Sequence, residues 1–198
     1  KGCGMRLKLE QRKLAIKQGI RLAQWTFDPL QGLNAHFNIE KLGVIAREYF
    51  PNLYGHSTST LNRGIETDRF LADWWLRSSR VKRHLAGKSS SVPVSGILAE
   101  HVGNLVNTTE PVSYSMRVCK KVHAPWNQKR LFVEIPENIQ AMKAENTELA
   151  VDWREKTRHI FQQCFKRGYV VTGFSSQRIE EARRTFYILD KAPSGITK

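Results

Sequence analysis

The stretch from Lys1 to Val44 reads KGCGMRLKLEQRKLAIKQGIRLAQWTFDPLQGLNAHFNIEKLGV, and its punctuation decides the fold class. Residues 5–18 hold no Gly, Pro or β-branched run, and Gly19 follows as a natural stop, so a helix is expected there. Its apolar positions form two stripes, Leu7/Leu14 and Met5/Leu9/Ile16, which predicts a helix covered on two sides. Ile20 to Phe27 reads as a strand that Asp28-Pro29 ends, and Asn34 to Leu42 as a second helix closed by Gly43. Helix, strand, helix in such quick succession is the rhythm of an α/β unit.

Outward from this unit the pattern continues as a mixed α+β chain. Arg69 to Leu76 reads as a strand, and residues 77–110 as an irregular basic connection with at most one short strand. Residues 111–122 and 130–135 look like strands. Pro136 suits a helix N-terminus before a short helix over 137–143. Asn146 or Thr147 caps a longer helix over 148–167, which Gly168 ends. Residues 169–174 and 184–189 then form a last hairpin. This divides the chain into residues 1–76, a connection 77–111, and a C-terminal α+β portion 112–198.

Composition narrows the function classes. Among 198 residues, five Trp, nine Phe and five Tyr exclude a chain disordered throughout. No apolar run approaches the ~20 residues of a membrane span, and charges recur every few positions, so no membrane partner is expected. The three cysteines, Cys3, Cys119 and Cys164, form neither a disulfide framework nor a Cys-x-x-Cys metal knuckle, and a reducing, cytoplasmic setting is the default. The net charge of +14 is uneven: residues 1–24 carry +6 and residues 76–135 carry +7. Such surplus points to a polyanion, and a basic nucleic-acid-binding module using 76–135 stands as the alternative to an enzyme. The six histidines include no pair at i, i+4 spacing, so no metal is expected. Ala86-Gly87-Lys88-Ser89 lacks the Gly that a phosphate-binding P-loop needs five positions before Gly87, where Lys82 stands.

Gly2 and Gly4 lead into the first helix without a gap. They let the backbone approach a ligand closely, and the amides of a helix N-terminus suit a phosphate. Lys1, Arg6 and Lys8 add cations beside it. Gly2-x-Gly4-x-Arg6, then helix, strand, and a helix ending Lys41-Leu42-Gly43-Val44, resembles the second half of the GNAT acyltransferase fold. Residues 25–44, with Trp25-Thr26-Phe27-Asp28-Pro29-Leu30, Asn34-Ala35 and Phe37-Asn38, are similar to a bacterial subfamily of predicted acetyltransferases, some assigned as amino-acid N-succinyltransferases. So are Tyr54-Gly55, Thr67-Asp68-Arg69, Trp74-Trp75, Val133-Glu134-Ile135-Pro136 and Trp153-Arg154.

The resemblance implies the C-terminal half of a GNAT-like domain with additional helices and a hairpin. It implies a coenzyme A thioester, acetyl or succinyl, as co-substrate, and an amine of a small molecule such as an amino acid as acceptor. It places the pyrophosphate on Lys1, Gly2, Cys3, Gly4, Met5 and Arg6, and the pantetheine arm near Asn34 and Phe37. The family's Tyr acid falls at Ile39, and its usual carboxylate base lies on a strand upstream of Lys1. That strand would flank Ile20–Phe27, so the residues as given are expected to leave one edge of that strand open, to be poorly soluble and to lack activity. The reading frame is then expected to extend upstream.

Three further residues are candidates for the acceptor. Asp28 stands at the C-terminal end of a strand, where α/β sheets face their ligands. Trp25 could form a ligand wall, although core packing suits it too. His36 and His56 flank the region, and each could move a proton. Asn34 could equally cap its helix. A homo-oligomer is open.

Overall fold

The computed structural model describes residues 2–55, 66–89, 91–113 and 116–192; Lys1 and His56 lie outside them. Among the described residues the fold is mixed α/β, with six α-helices around a six-stranded sheet whose strand pairs are all antiparallel.

The first helix, α1 (Cys3–Lys17), starts directly after Gly2 and stops before Gly19, as its composition predicts. Strand β1 (Leu22–Phe27) follows. The next helix begins as α2 (Gly32–Ala35) and widens into a π-helical turn, His36–Lys41, which buries Asn38, Ile39 and Glu40. Gly43, at φ 73, ends it in the left-handed region that a side chain would resist. Two strands then pair with each other, β2 (Ile45–Phe50) and β3 (Arg69–Trp75); β2 is a strand the sequence pattern did not reveal.

The basic stretch is more regular than its composition suggests. It forms α3 (Ser79–Leu85), capped by the Ser78 hydroxyl, and α4 (Val94–Glu100). Where one strand is expected over 111–122, β4 (Asn107–Pro111) ends and β5 (Arg117–Val122) pairs antiparallel with it, forming a separate two-stranded sheet. Strand β6 (Arg130–Ile135) leads to α5 (Ile139–Glu145), which starts three residues after Pro136 because Asn138, not Pro136, caps it. Asn146 caps α6 (Thr147–Lys166), accepting from the Leu149 amide at 2.9 Å. The final hairpin, β7 (Tyr169–Ile179) and β8 (Ala182–Lys191), is far longer than the pattern indicated.

The large sheet runs β1-β3-β2-β7-β8-β6, so β1 is an edge strand and its outer edge has no partner among the described strands. One core covers one face. Phe70 meets Phe27, Tyr49, Phe161, Phe165 and Tyr187 with ring centroids 4.7–5.7 Å apart, joining β1, β2 and β3 to α6 and β8. On the opposite face α4 brings Val94 and Ile97 against Phe132, Phe186 and Ile188. The large sheet joins residues 1–76 to residues 112–198, and the main core also takes in Val81 and Val106 of the stretch between them.

Helix α1 departs from expectation. Met5 and Ile16 pack against the core, but Leu7 and Leu14 are 72% and 58% exposed, so only one stripe is covered. The helix is held by Arg12, whose Nε donates to the Leu76 carbonyl at 2.8 Å, and by Lys8, whose ammonium lies 3.6 Å from the Trp25 ring centroid.

Candidate functional site

Gly2 adopts φ 100, a conformation that favours glycine, and turns the chain into α1. The first intrahelical bond runs from the Arg6 amide to the Gly2 carbonyl, 3.1 Å. The amides of Cys3, Gly4 and Met5 therefore have no partner inside the helix, no side chain caps them, and no acidic residue occupies the first turn. Gly4 lies against Phe37: a Cβ there would sit 3.9 Å from the ring's tip. The structure thus brings Gly4 and Phe37 together. Asn34 is exposed beside them and caps nothing, since Gln31 occupies the cap position of α2. Cys3 and Arg6 are exposed, whereas Met5 turns toward the core.

Asp28 is a correction. It does stand at the end of β1, but it is only 8% exposed and Arg154 of α6 grips it with two bonds of 2.7 and 2.8 Å. Its Oδ1 also receives the Leu30 amide at 2.8 Å, and Arg69 lies 3.7 Å away. Burial works against the Arg154 charge, but Asp28, with Tyr49 and Asp68 nearby, holds the guanidinium above its ordinary pKa. The carboxylate expected for substrate is a structural anchor. Trp25 is partly covered, packed edge-on to Trp74 at 5.8 Å and roofed by Lys8, so it lines the core rather than a ligand wall.

His36 takes part in a site. A cavity of about 500 Å³ is lined by Gly32, His36, Phe174, Thr185 and the pair Glu137/Arg183. A neighbouring cavity of about 230 Å³ shares Glu137, Asn138 and Arg183. Together they form a trough that runs from the start of α2 to the floor between β6, α5 and α6. Gly32 lies near Glu137, where a Cβ would make ordinary contact with the Glu137 carbonyl at 3.6 Å.

The inner end has an apolar floor of Met116, Ile135, Met142 and Trp153, with carboxylates of Glu134, Glu137 and Glu145 around it. Arg184 forks onto Glu134, and Arg117 lies 3.9 Å from the same carboxylate while donating to the Thr109 hydroxyl at 2.7 Å. Two guanidiniums therefore share one buried carboxylate. Burial, and then repulsion from Arg184, lower the Arg117 pKa. Burial, and then the charge of Lys41, lower that of His36, which favours the neutral imidazole at pH 7.

Trp153, Glu134, Glu137 and Arg183 escaped sequence reasoning as site residues. They lie from 98 to 147 positions beyond His36, and no local spacing links them. Among the described residues no cluster of His, Cys, Asp or Glu is placed to hold a metal ion, and no helix is long and apolar enough to cross a membrane. Comparison with protein-family models, with curated proteins and with solved structures returns no match to this chain.

Proposed function

We propose that the chain is a GNAT-type N-acyltransferase that moves an acetyl or succinyl group from coenzyme A to an amine of a small molecule. One observation carries the reading. The first turn of α1, with its outward amides and no acidic side chain, lies against Phe37, next in sequence to the trough residue His36. The resemblance of residues 25–44 to acetyltransferases supports it independently.

The amides of Cys3, Gly4 and Met5 hold the pyrophosphate, aided by the dipole of a 15-residue helix. The acceptor lies in the trough, its ammonium drawn by Glu137 and Glu145 and its apolar part on Met142 and Trp153. The amine attacks the thioester carbon, a C–N bond forms and the C–S bond breaks. His36, neutral at pH 7, takes a proton from the bound ammonium before the attack, and the second proton, which the nitrogen sheds as the amide forms, leaves to water. Ile39 is fully buried and carries no acid, so the departing thiolate takes its proton from water. Holding both reactants in one trough supplies much of the rate.

The test is release of free thiol from acetyl- and succinyl-coenzyme A across a panel of amines, using the product of the complete gene. Gly4→Val adds bulk beside Phe37 and is expected to weaken coenzyme A binding at least tenfold, while Cys3→Ser leaves it nearly unchanged. Equal coenzyme A affinity in Gly4→Val overturns the pyrophosphate assignment; absence of thiol release with every amine overturns the acyltransferase reading.

A further inference from the structure

A second cleft, of about 410 Å³, shares no lining residue with the trough. It opens between the π-helical turn, α3 and the β7–β8 hairpin, and its charged lining is Glu40, Arg80, Arg83, Lys88, Arg130 and Asp190.

The cations fall into two groups. Arg80 is largely buried and donates to the carbonyls of Gly43 (2.9 Å), Val44 (3.4 Å) and Thr172, so it is fixed by backbone rather than by a carboxylate. Arg130 forks onto Asp190 at 2.7 and 3.0 Å. Arg83 and Lys88 are different: their exposed side chains have no hydrogen-bond or ion-pair partner among the described residues. Arg83 also repels Arg80 and His84, and burial with this repulsion brings Arg80 down to about 10. The four cations of the cleft, Arg80, Arg83, Lys88 and Arg130, outnumber its two carboxylates, Glu40 and Asp190, which favours an incoming anion.

The floor sets which anion. Glu40 is carried into the cleft by the π-helical turn, a feature frequent at functional sites. Its Oε1 accepts the Phe174 amide at 2.7 Å. Burial raises its pKa, against the opposing effects of that amide, Arg80, Lys41 and Ser89. His84 donates from Nδ1 to the Glu40 carbonyl at 2.8 Å, since a carbonyl can only accept. A carboxylate on the floor repels an anion that offers acceptors alone, and favours one that brings a hydrogen.

We infer that this cleft binds a phosphate group that retains a proton, either the free ion or a small-molecule monoester, with Arg83 and Lys88 on its charged oxygens and Glu40 accepting its P–O–H hydrogen. Sulfate, and the phosphodiester of a nucleic acid, carry no such hydrogen near neutral pH and are discriminated against. The basic stretch around Lys88-Ser89 then serves a single phosphate, without the loop geometry of a P-loop.

The test is isothermal titration of the purified chain at pH 6 and constant ionic strength, with sodium phosphate, sodium sulfate and glycerol phosphate. Phosphate is expected to bind at least about tenfold more tightly than sulfate, as befits one charge-assisted hydrogen bond. Tighter binding of glycerol phosphate than of phosphate assigns the monoester; weaker binding assigns the free ion. The doubly exposed variant Arg83→Ala/Lys88→Ala is expected to lose at least about tenfold in phosphate affinity. Glu40→Gln is expected to bring sulfate level with phosphate. Should that buried variant fail to fold, the anion comparison and the surface variant still decide. Equal binding of phosphate and sulfate, unchanged affinity in the double variant, or displacement of phosphate by a single-stranded oligonucleotide overturns the assignment, the last in favour of a nucleic-acid surface.

Discussion

Arg154 reaches from the middle of α6 to Asp28, 126 positions earlier, and both side chains are nearly removed from water, at 4% and 9% exposure. Among the described residues its buried Nε has no hydrogen-bond partner, and Asp28 holds the guanidinium by its other two nitrogens. Removing Asp28 leaves the buried Arg154 without its hydrogen-bonded partner, and removing Arg154 leaves Asp28 with Arg69 at 3.7 Å, and either change costs about 3–5 kcal/mol. Arg154→Met and Asp28→Asn are each expected to destabilise by roughly that amount in urea unfolding. The double variant is expected to lose clearly less than the sum of the two. Additive losses would show that the pair does not act as a unit. Two other buried groups are thiols, and the Cys119 sulfur accepts from Asn107 Nδ2 at 3.7 Å. Burial pushes the Cys164 thiol up to about 12 and raises that of Cys119, so both behave as small apolar fillers.

The π-helical turn and α3 form one polar contact, with His84 donating to the Glu40 carbonyl and Arg80 to the Gly43 carbonyl. Gly43 is tightly enclosed: a Cβ there would come within 3.1 Å of the Val81 backbone and of His84, on top of its positive φ. Packing of α3 against this turn explains why burial, partly offset by the Glu40 carbonyl, lowers the His84 pKa below 6.5. The native state then binds fewer protons than the unfolded chain between the folded pKa and 6.5. Stability from this group is present above pH 6.5 and is lost as pH falls toward the folded pKa. Glu40 works in the opposite sense, because its raised pKa makes stability fall as pH rises above 4.5. Comparing unfolding free energies at pH 7.5 and 5.5 in the wild type and in His84→Gln isolates the first effect. The variant is expected to lose less stability on acidification than the wild type. An identical loss in both would contradict the assignment of the slope to His84.

Across the molecule, the junction between β2 and β7 is thin in backbone terms, with Ala46 paired to Val171 as its sole register pair. Side chains bind the two regions instead. Arg154 holds Asp28, Arg158 forks onto the fully buried Asp68, the Tyr187 hydroxyl donates to the Pro29 carbonyl at 2.7 Å, and Phe70 stacks among rings of α6 and β8. One core shared in this way predicts one cooperative transition. Tryptophan fluorescence should follow urea unfolding at all five tryptophans, Trp25, Trp74 and Trp75 in β1 and β3 and Trp126 and Trp153 in the C-terminal part, and far-UV circular dichroism should follow the whole chain. Coincident midpoints are expected. Midpoints separated by more than experimental error would show that the chain does not unfold as one unit.

What the residues dictate locally is legible in them without coordinates. The stops at Gly19, Gly43 and Gly168, the Asn146 cap, and the strands at β1, β3 and β6 follow from backbone propensity and capping, which act within a few positions. The mixed α/β class follows from the same signals. The long-range partners do not. Asp28 looks open at a strand end, and only the approach of α6 shows that Arg154 closes over it. Leu7 looks destined for a core until the packing of α1 leaves it in water. Helices α3 and α4 hide in a basic, Ser-rich stretch because their stability comes from Val81, Val94 and Ile97 burying against the rest of the fold, not from helix propensity. His36 was visible as a candidate, but the trough around it needs Glu137, Trp153 and Arg183. Burial and charge neutralisation between residues a hundred positions apart depend on how the sheet and α6 meet, and no local pattern encodes that meeting.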